Sequence, residues 1–243
     1  MAPPLPHDSA RMAWWLSAWL RGDAGPDDLL DAVRADDAAH DVAGLAEEPL
    51  PLVLALGPLR TAGARSAGLA LPSPGDPVGL GGPREFNAAA LEAGEAVLIE
   101  GAGLGLVPHR AGAGVVWVAM PADRRPLADL GEADRSLRAG ISESATALAA
   151  LDVARWRPEV ADELMNLRHR PAYDAPAGTP PRAVELAGRA LQALGIVELA
   201  MEDTGGAVSA LEIIRREDAL RPLDASARRA LVAACSPEVW PPA

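Results

Sequence analysis

Two groups of residues have types and spacing that could do chemistry. The first surrounds a segment dense in Pro and Gly, 72–87, which holds Asp76, Arg84, Glu85 and Asn87; His109 and Arg110 follow at the end of an apolar run just before Gly112. Carboxylates beside a His can move protons near neutral pH, and Arg binds anions. Repeated Pro narrows the conformations of a loop while Gly permits turns, so such a segment can hold polar groups at the rim of a cleft. The competing reading is an inert surface loop in which Arg84 pairs with Glu85 or Asp76. The second group is Arg155, Arg157, Arg168 and Arg170, which bracket a short helix beginning at Pro158, with Trp156 and His169 alongside. Guanidinium forks suit carboxylates and phosphates. Glu159, Asp162 and Glu163 can instead satisfy these arginines locally.

Other chemistries fail on spacing or composition. Gly101, Gly103 and Gly105 follow a strand, but a second strand comes next where a phosphate loop needs a helix N-terminus. Asp203-Thr204-Gly205 occurs once, between helices, whereas aspartic protease chemistry needs two apposed carboxylates. His7, His40, His109 and His169 lack the paired spacing of a zinc helix. His40 with Asp36, Asp37 and Asp41 reads as a solvated acidic face rather than a cation site. Ser142 and Ser144 sit inside a long helix with no strand–Ser–helix elbow. Cys235, the single cysteine, lies in an Ala-rich helical stretch and reads as packing. The sequence contains no Lys, which removes Schiff-base, pyridoxal and P-loop chemistry. No metal and no cofactor are expected.

Composition narrows the partners. The formal charge is −12, and residues 1–50 carry ten acids against three Arg. Such a field repels phosphate backbones and anionic bilayers, so neither nucleic acid nor membrane is expected; a protein partner or self-association stays open. Apolar residues make up 49% of the chain, enough for a core. No apolar run approaches the roughly 18 residues of a spanning helix. Met12 to Leu20 could pass as a signal core, but no small-residue cleavage site follows, so a cytoplasmic location is expected.

The elements that would position these residues follow from periodicity. Met12, Trp15, Leu16, Trp19 and Leu20 share a helix face, started by Asp8 or Ser9 and ended by Gly22, with Trp15 and Trp19 expected to be largely buried. Pro26 opens a second helix, completing a hairpin. Strands are expected at 52–56, 67–71, 96–100, 104–108 and 115–120, joined by links too short for parallel crossovers. Residues 84–93 form a short helix. Beyond Pro121 the pattern is helical: a long helix carries Leu130, Leu137, Ile141, Leu148 and Leu151, a later one is capped by Thr179, another spans 207–220, and Asp224 caps the last. The fold class is α+β: a helical hairpin (1–48), a five-strand, mainly antiparallel sheet with its Pro/Gly loop (49–122), and a helical region (123–243).

Phe86-Asn87-Ala88-Ala89-Ala90, Leu71-Pro72-Ser73-Pro74-Gly75-Asp76-Pro77 and Leu231-Val232-Ala233-Ala234-Cys235-Ser236-Pro237 resemble an uncharacterised family of actinobacterial proteins over most of the chain. The resemblance implies a bacterial, cytosolic protein and transfers no activity. Two functions are weighed. One is a non-enzymatic binding or adaptor protein. The other is an enzyme on a small anionic substrate, with Asp76, Glu85 or His109 as acid–base groups beside Arg84 and Arg110. Convergence of these residues in one pocket favours the enzyme; dispersal favours the binding protein.

Overall fold

Gly22 and Pro26 divide the N-terminal helices as their chemistry requires. Helix α1 (Asp8–Arg21) ends where Gly22 turns left-handed, and α2 (Pro26–Arg34) starts on Pro, with the Asp28 carboxylate accepting the Gly25 N–H at 3.0 Å. The computed structural model describes residues 2–123, 126–150, 173–202 and 210–241. Two small strands, β1 (His40–Ala43) and β2 (Leu50–Pro51), precede α3 (Leu52–Thr61). Then come β3 (Ser66–Ala70), α4 (Arg84–Ala93), β4 (Ala96–Glu100), β5 (Leu104–Ala111) and β6 (Gly114–Pro121). Among the described residues three long helices follow, α5 (Leu130–Ala150), α6 (Pro181–Glu202) and α7 (Ala210–Ala234), before a short 3-10 turn at Pro237–Val239.

The fold is α+β, and the sheet has six strands in the order β2-β1-β6-β5-β4-β3. Its pairs are antiparallel except β1 with β6, which run parallel with Val42 opposite Trp117. Two expectations are corrected here. The apolar run at 52–56 is helix, not strand: Leu52, Ala55, Leu56 and Leu59 are buried while Val53 and Leu54 face outward. Periodicity cannot separate a buried strand from a helix over five residues. The sheet gains β1 and β2 in its place, because β6 offers an unpaired edge that the chain around His40 fills.

Each face of the sheet is covered. Met12, Leu16, Leu29, Val33 and Leu56 pack on Val97, Ile99, Leu106 and Trp117. On the other face Phe86 and Ala90 meet Leu98 and Val107. Gly105 belongs to this contact: a Cβ there would lie 2.3 Å from the Phe86 ring. The glycine makes room for α4, not for a phosphate.

Helix α1 is buried on nearly all sides, between the sheet and the C-terminal helices. Trp14, only 1% exposed, takes the interior position; Trp15 and Trp19 are half-buried, and Arg60 stacks 3.8 Å above the Trp19 ring. A single apolar stripe underestimates a helix covered from two directions. Ser17 completes the free edge of β3, with its hydroxyl donating to Ala67 O and accepting from Ala67 N, each at 2.8 Å. Leu69 N bonds Cys235 O at 3.3 Å further along that edge. The indoles of Trp14 and Trp240 both donate to Ala234 O at 3.1 Å, satisfying a carbonyl at the end of α7.

Helix boundaries in the C-terminal region also differ from expectation. Helix α7 runs through Pro222 and Asp224, so Asp224 caps nothing and pairs with Arg228 at 2.9 Å. The Thr179 hydroxyl is buried with no partner among the described residues and does not cap α6. Residue His7, not Asp8 or Ser9, stands at the start of α1. The expected break at Gly205-Gly206 and the helix from Pro158 lie outside the described residues.

Candidate ligand-binding cleft

The six residues expected around the Pro/Gly loop go to five different places. Asp76 is tied to α7, with Arg228 at 3.0 Å and Arg229 at 2.6 Å, and its backbone closes a turn with Ser73. It lines a cleft of about 350 Å³ with Val78, Leu127 and Arg229, but its carboxylate is already engaged. Arg84 and Glu85 are exposed in the first turn of α4. The Asn87 side chain accepts the Gly82 N–H at 3.1 Å and so fixes the end of the loop. His109 is exposed on β5. Arg110 turns to the N-terminus. Arg155, Arg157, Arg168 and Arg170 lie outside the described residues.

Arg110 enters a largely buried charge network. It donates to Asp8 at 2.9 Å and to Asp37, and Asp8 also holds Arg11. Arg11 donates to the carbonyls of Leu5, Pro6 and Val33, so its fork locks the N-terminal segment onto α2. Burial pushes the Asp37 carboxyl up, but hydrogen bonds from His40 and Arg110 outweigh it and hold the group below its ordinary range. His40 is not the cation ligand considered from sequence. Its Nδ1 accepts the Trp117 indole N–H at 3.1 Å, and an indole can only donate, so the ring proton sits on Nε2 facing Asp37 at 3.0 Å. Both ring nitrogens are spent on structure.

Beside this network Glu95, immediately before β4, accepts the Ser9 N–H at 3.0 Å, serving the positive end of α1. Burial raises its carboxyl to about 7, against the opposing pull of the Ser9 bond. His7 lies 3.8 Å away, and burial lowers its imidazole. Cys235 is completely buried, which pushes its thiol up and leaves no nucleophile there. Among the described residues no cluster of three His, Cys, Asp or Glu side chains could hold a metal ion, and no helix is long and apolar enough to cross a membrane.

The cleft that sequence reasoning missed lies among α5, α6 and α7. Leu137, Ile141, Ser144, Ala145 and Leu148 recur on one face of α5 at i, i+4, i+7, i+8 and i+11. Opposite them stand Ala193 and Ile196 of α6 and Leu220 and Leu223 of α7, enclosing about 340 Å³ of apolar space. Close packing of α5 on α7 sets one wall: a Cβ at Gly140 would meet Ser226 Oγ at 2.2 Å. A second, more polar cleft of about 710 Å³ adjoins it, lined by Asp129, Asp134, Arg182, Glu185 and Trp240. Arg138 and Arg189 line both spaces.

Asp134 serves these two cations at once. Arg138 donates to Oδ2 at 2.5 Å, while Arg189 approaches Oδ1 at 2.6 Å off the axis of a good hydrogen bond. Ser144 is 1% exposed and its hydroxyl has no partner among the described residues. Ile141 in the same wall is 47% exposed. The one sequence signal was a Ser within the apolar stripe of α5; the helix that faces it was not legible.

A family model described as Rv1486c-like protein, N-terminal domain, matches residues 9–130, and one described as Rv1486c-like protein, C-terminal domain, matches residues 131–232. The chain is similar to the uncharacterized protein Rv1486c of Mycobacterium tuberculosis, with 30% identity over 286 aligned positions covering 96% of this chain and 98% of that one. Identity to the uncharacterized protein ML1804 of Mycobacterium leprae is 29%, with the same coverage. No solved structure matches.

Proposed function

We propose that this chain, which belongs to the Rv1486c-like family, is a non-enzymatic binding protein whose ligand seat is the paired cleft among α5, α6 and α7. The observation that carries this reading is the continuity of the two spaces through Arg138 and Arg189, one space apolar and the other charged. A volume of about 340 Å³ falls in the range of small-molecule pockets. The dispersal of Asp76, Arg84, Glu85, Asn87, His109 and Arg110 supports binding over acid–base catalysis. Three of the six are committed to the fold, through Arg228, Gly82 and Asp8.

Titration with the uncharged dye N-phenylnaphthylamine tests the reading. A saturable fluorescence increase with one site per chain is expected. Ala145→Trp, on the exposed rim of the apolar space, should abolish it while leaving the circular dichroism spectrum unchanged. Equal binding by the variant, or no saturable binding by either protein, would refute the proposal.

A further inference from the structure

We infer that the ligand of this cleft is a single-chain amphiphile with an anionic head, an inference that rests on the binding role proposed above. The apolar space takes a chain: its walls are Leu137, Ile141, Leu148, Ile196, Leu220 and Leu223, and no acidic side chain lines it. At its junction with the polar cleft two guanidinium groups share one carboxylate, leaving a local excess of positive charge. Arg182, Glu185 and Asp129 line the rest of the polar cleft, where Asp129 accepts the Glu132 N–H at 2.8 Å. The junction, where Arg138 and Arg189 line both spaces, is where the head of a molecule whose tail fills the apolar space would lie.

The geometry of the cations fits this role. A guanidinium carries five N–H donors, and each of these two approaches Asp134 through a single nitrogen. Arg189 meets the carboxylate off axis, so turning its fork toward a second anion gives up no well-formed hydrogen bond. Carboxylate and phosphate heads both match such forks.

Ser144 is the second, independent mark. A buried hydroxyl without a partner is expensive unless something else completes its bonding. It lies six residues beyond Arg138, roughly 9 Å by helix rise, inside the apolar wall. Rotation of this hydroxyl toward the cleft would let an oxygen carried part-way along the chain of the ligand complete it, so hydroxylated or keto chains are favoured over plain ones of equal length.

Displacement of N-phenylnaphthylamine from the full chain, below the micelle concentration of each competitor, tests this. Dodecanoate and dodecyl phosphate should each displace the dye at about ten-fold lower concentration than dodecanol, the effect of one charge-assisted hydrogen bond. The better of the two identifies the head as carboxylate or phosphate. Arg138→Gln and Arg189→Gln, tested separately, should each shrink that advantage, read as the ratio to dodecanol in the same variant. A hydroxylated dodecanoate should compete better than dodecanoate, and Ser144→Ala should erase the difference. Equal displacement by dodecanol, or an advantage untouched by either Arg variant, would overturn the anionic head while leaving the binding role standing. Failure of the dye itself to bind would remove the binding role instead.

Discussion

Substituting Glu95 by Gln tests whether this carboxyl enters the folded state protonated. Its folded value is raised from 4.5 to about 7 by burial, and it accepts the Ser9 N–H at 3.0 Å. A raised carboxyl keeps a proton that the unfolded chain gives up, so stability falls as pH rises between these two values and levels off above the upper one. The two titrations place the destabilisation at about 1 kcal/mol at pH ~5.5 and about 3 kcal/mol at pH ~8. Gln keeps the acceptor for Ser9 and carries no proton to lose. The stability gained by Glu95→Gln should therefore grow by about 2 kcal/mol from the lower pH to the higher. His7 contributes with the opposite sign, since its lowered imidazole weakens the fold as pH drops through 6.5, but it is common to both proteins. Asp8 and Arg11 are likewise retained. Urea denaturation of both proteins at the two pH values supplies the comparison. A gain that is constant with pH, or that shrinks as pH rises, would show that the carboxyl is ionised in the native fold and that burial does not control it.

Other outcomes can be checked the same way. Ser144→Ala should stabilise the ligand-free protein by about 1 kcal/mol in urea denaturation, by removing an unsatisfied buried hydroxyl. Gly140→Ala should destabilise by about 1–3 kcal/mol, because the new methyl falls 2.2 Å from Ser226 Oγ and 2.9 Å from Pro222 O; a neutral result would mean that α5 and α7 pack less closely. Ser17→Ala should lose about 1–3 kcal/mol by leaving both Ala67 backbone groups unpaired at the edge of β3, with faster amide exchange at Ala67 as its signature.

Local chemistry was enough to place many elements. Gly22 and Pro26 divide the first two helices, 84–93 reads as a helix between Pro83 and Gly94, and the runs near 67–71, 96–100, 104–108 and 115–120 are strands. Each depends on neighbours a few residues away, which a sequence displays directly. The absence of Lys and the single buried Cys235 likewise limit chemistry before any fold is known.

What tertiary structure decided was the choice of distant partners. Leu52–Leu56 became helix because only a 3.6-residue period lets Leu52, Ala55, Leu56 and Leu59 share one buried side. The chain at His40 became a strand because β6 left an edge open to it. Arg110 sits beside His109 in sequence, yet its partners are Asp8 and Asp37, at separations of 102 and 73 residues. Side chains of adjacent strand residues point to opposite faces, so sequence neighbours need not share a site. The α5 stripe was legible as an apolar face, but whether it would be sealed or left open depended on where α6 and α7 settled. Helix packing is set by the matching of whole surfaces, and no local pattern specifies a gap of 340 Å³ between three of them.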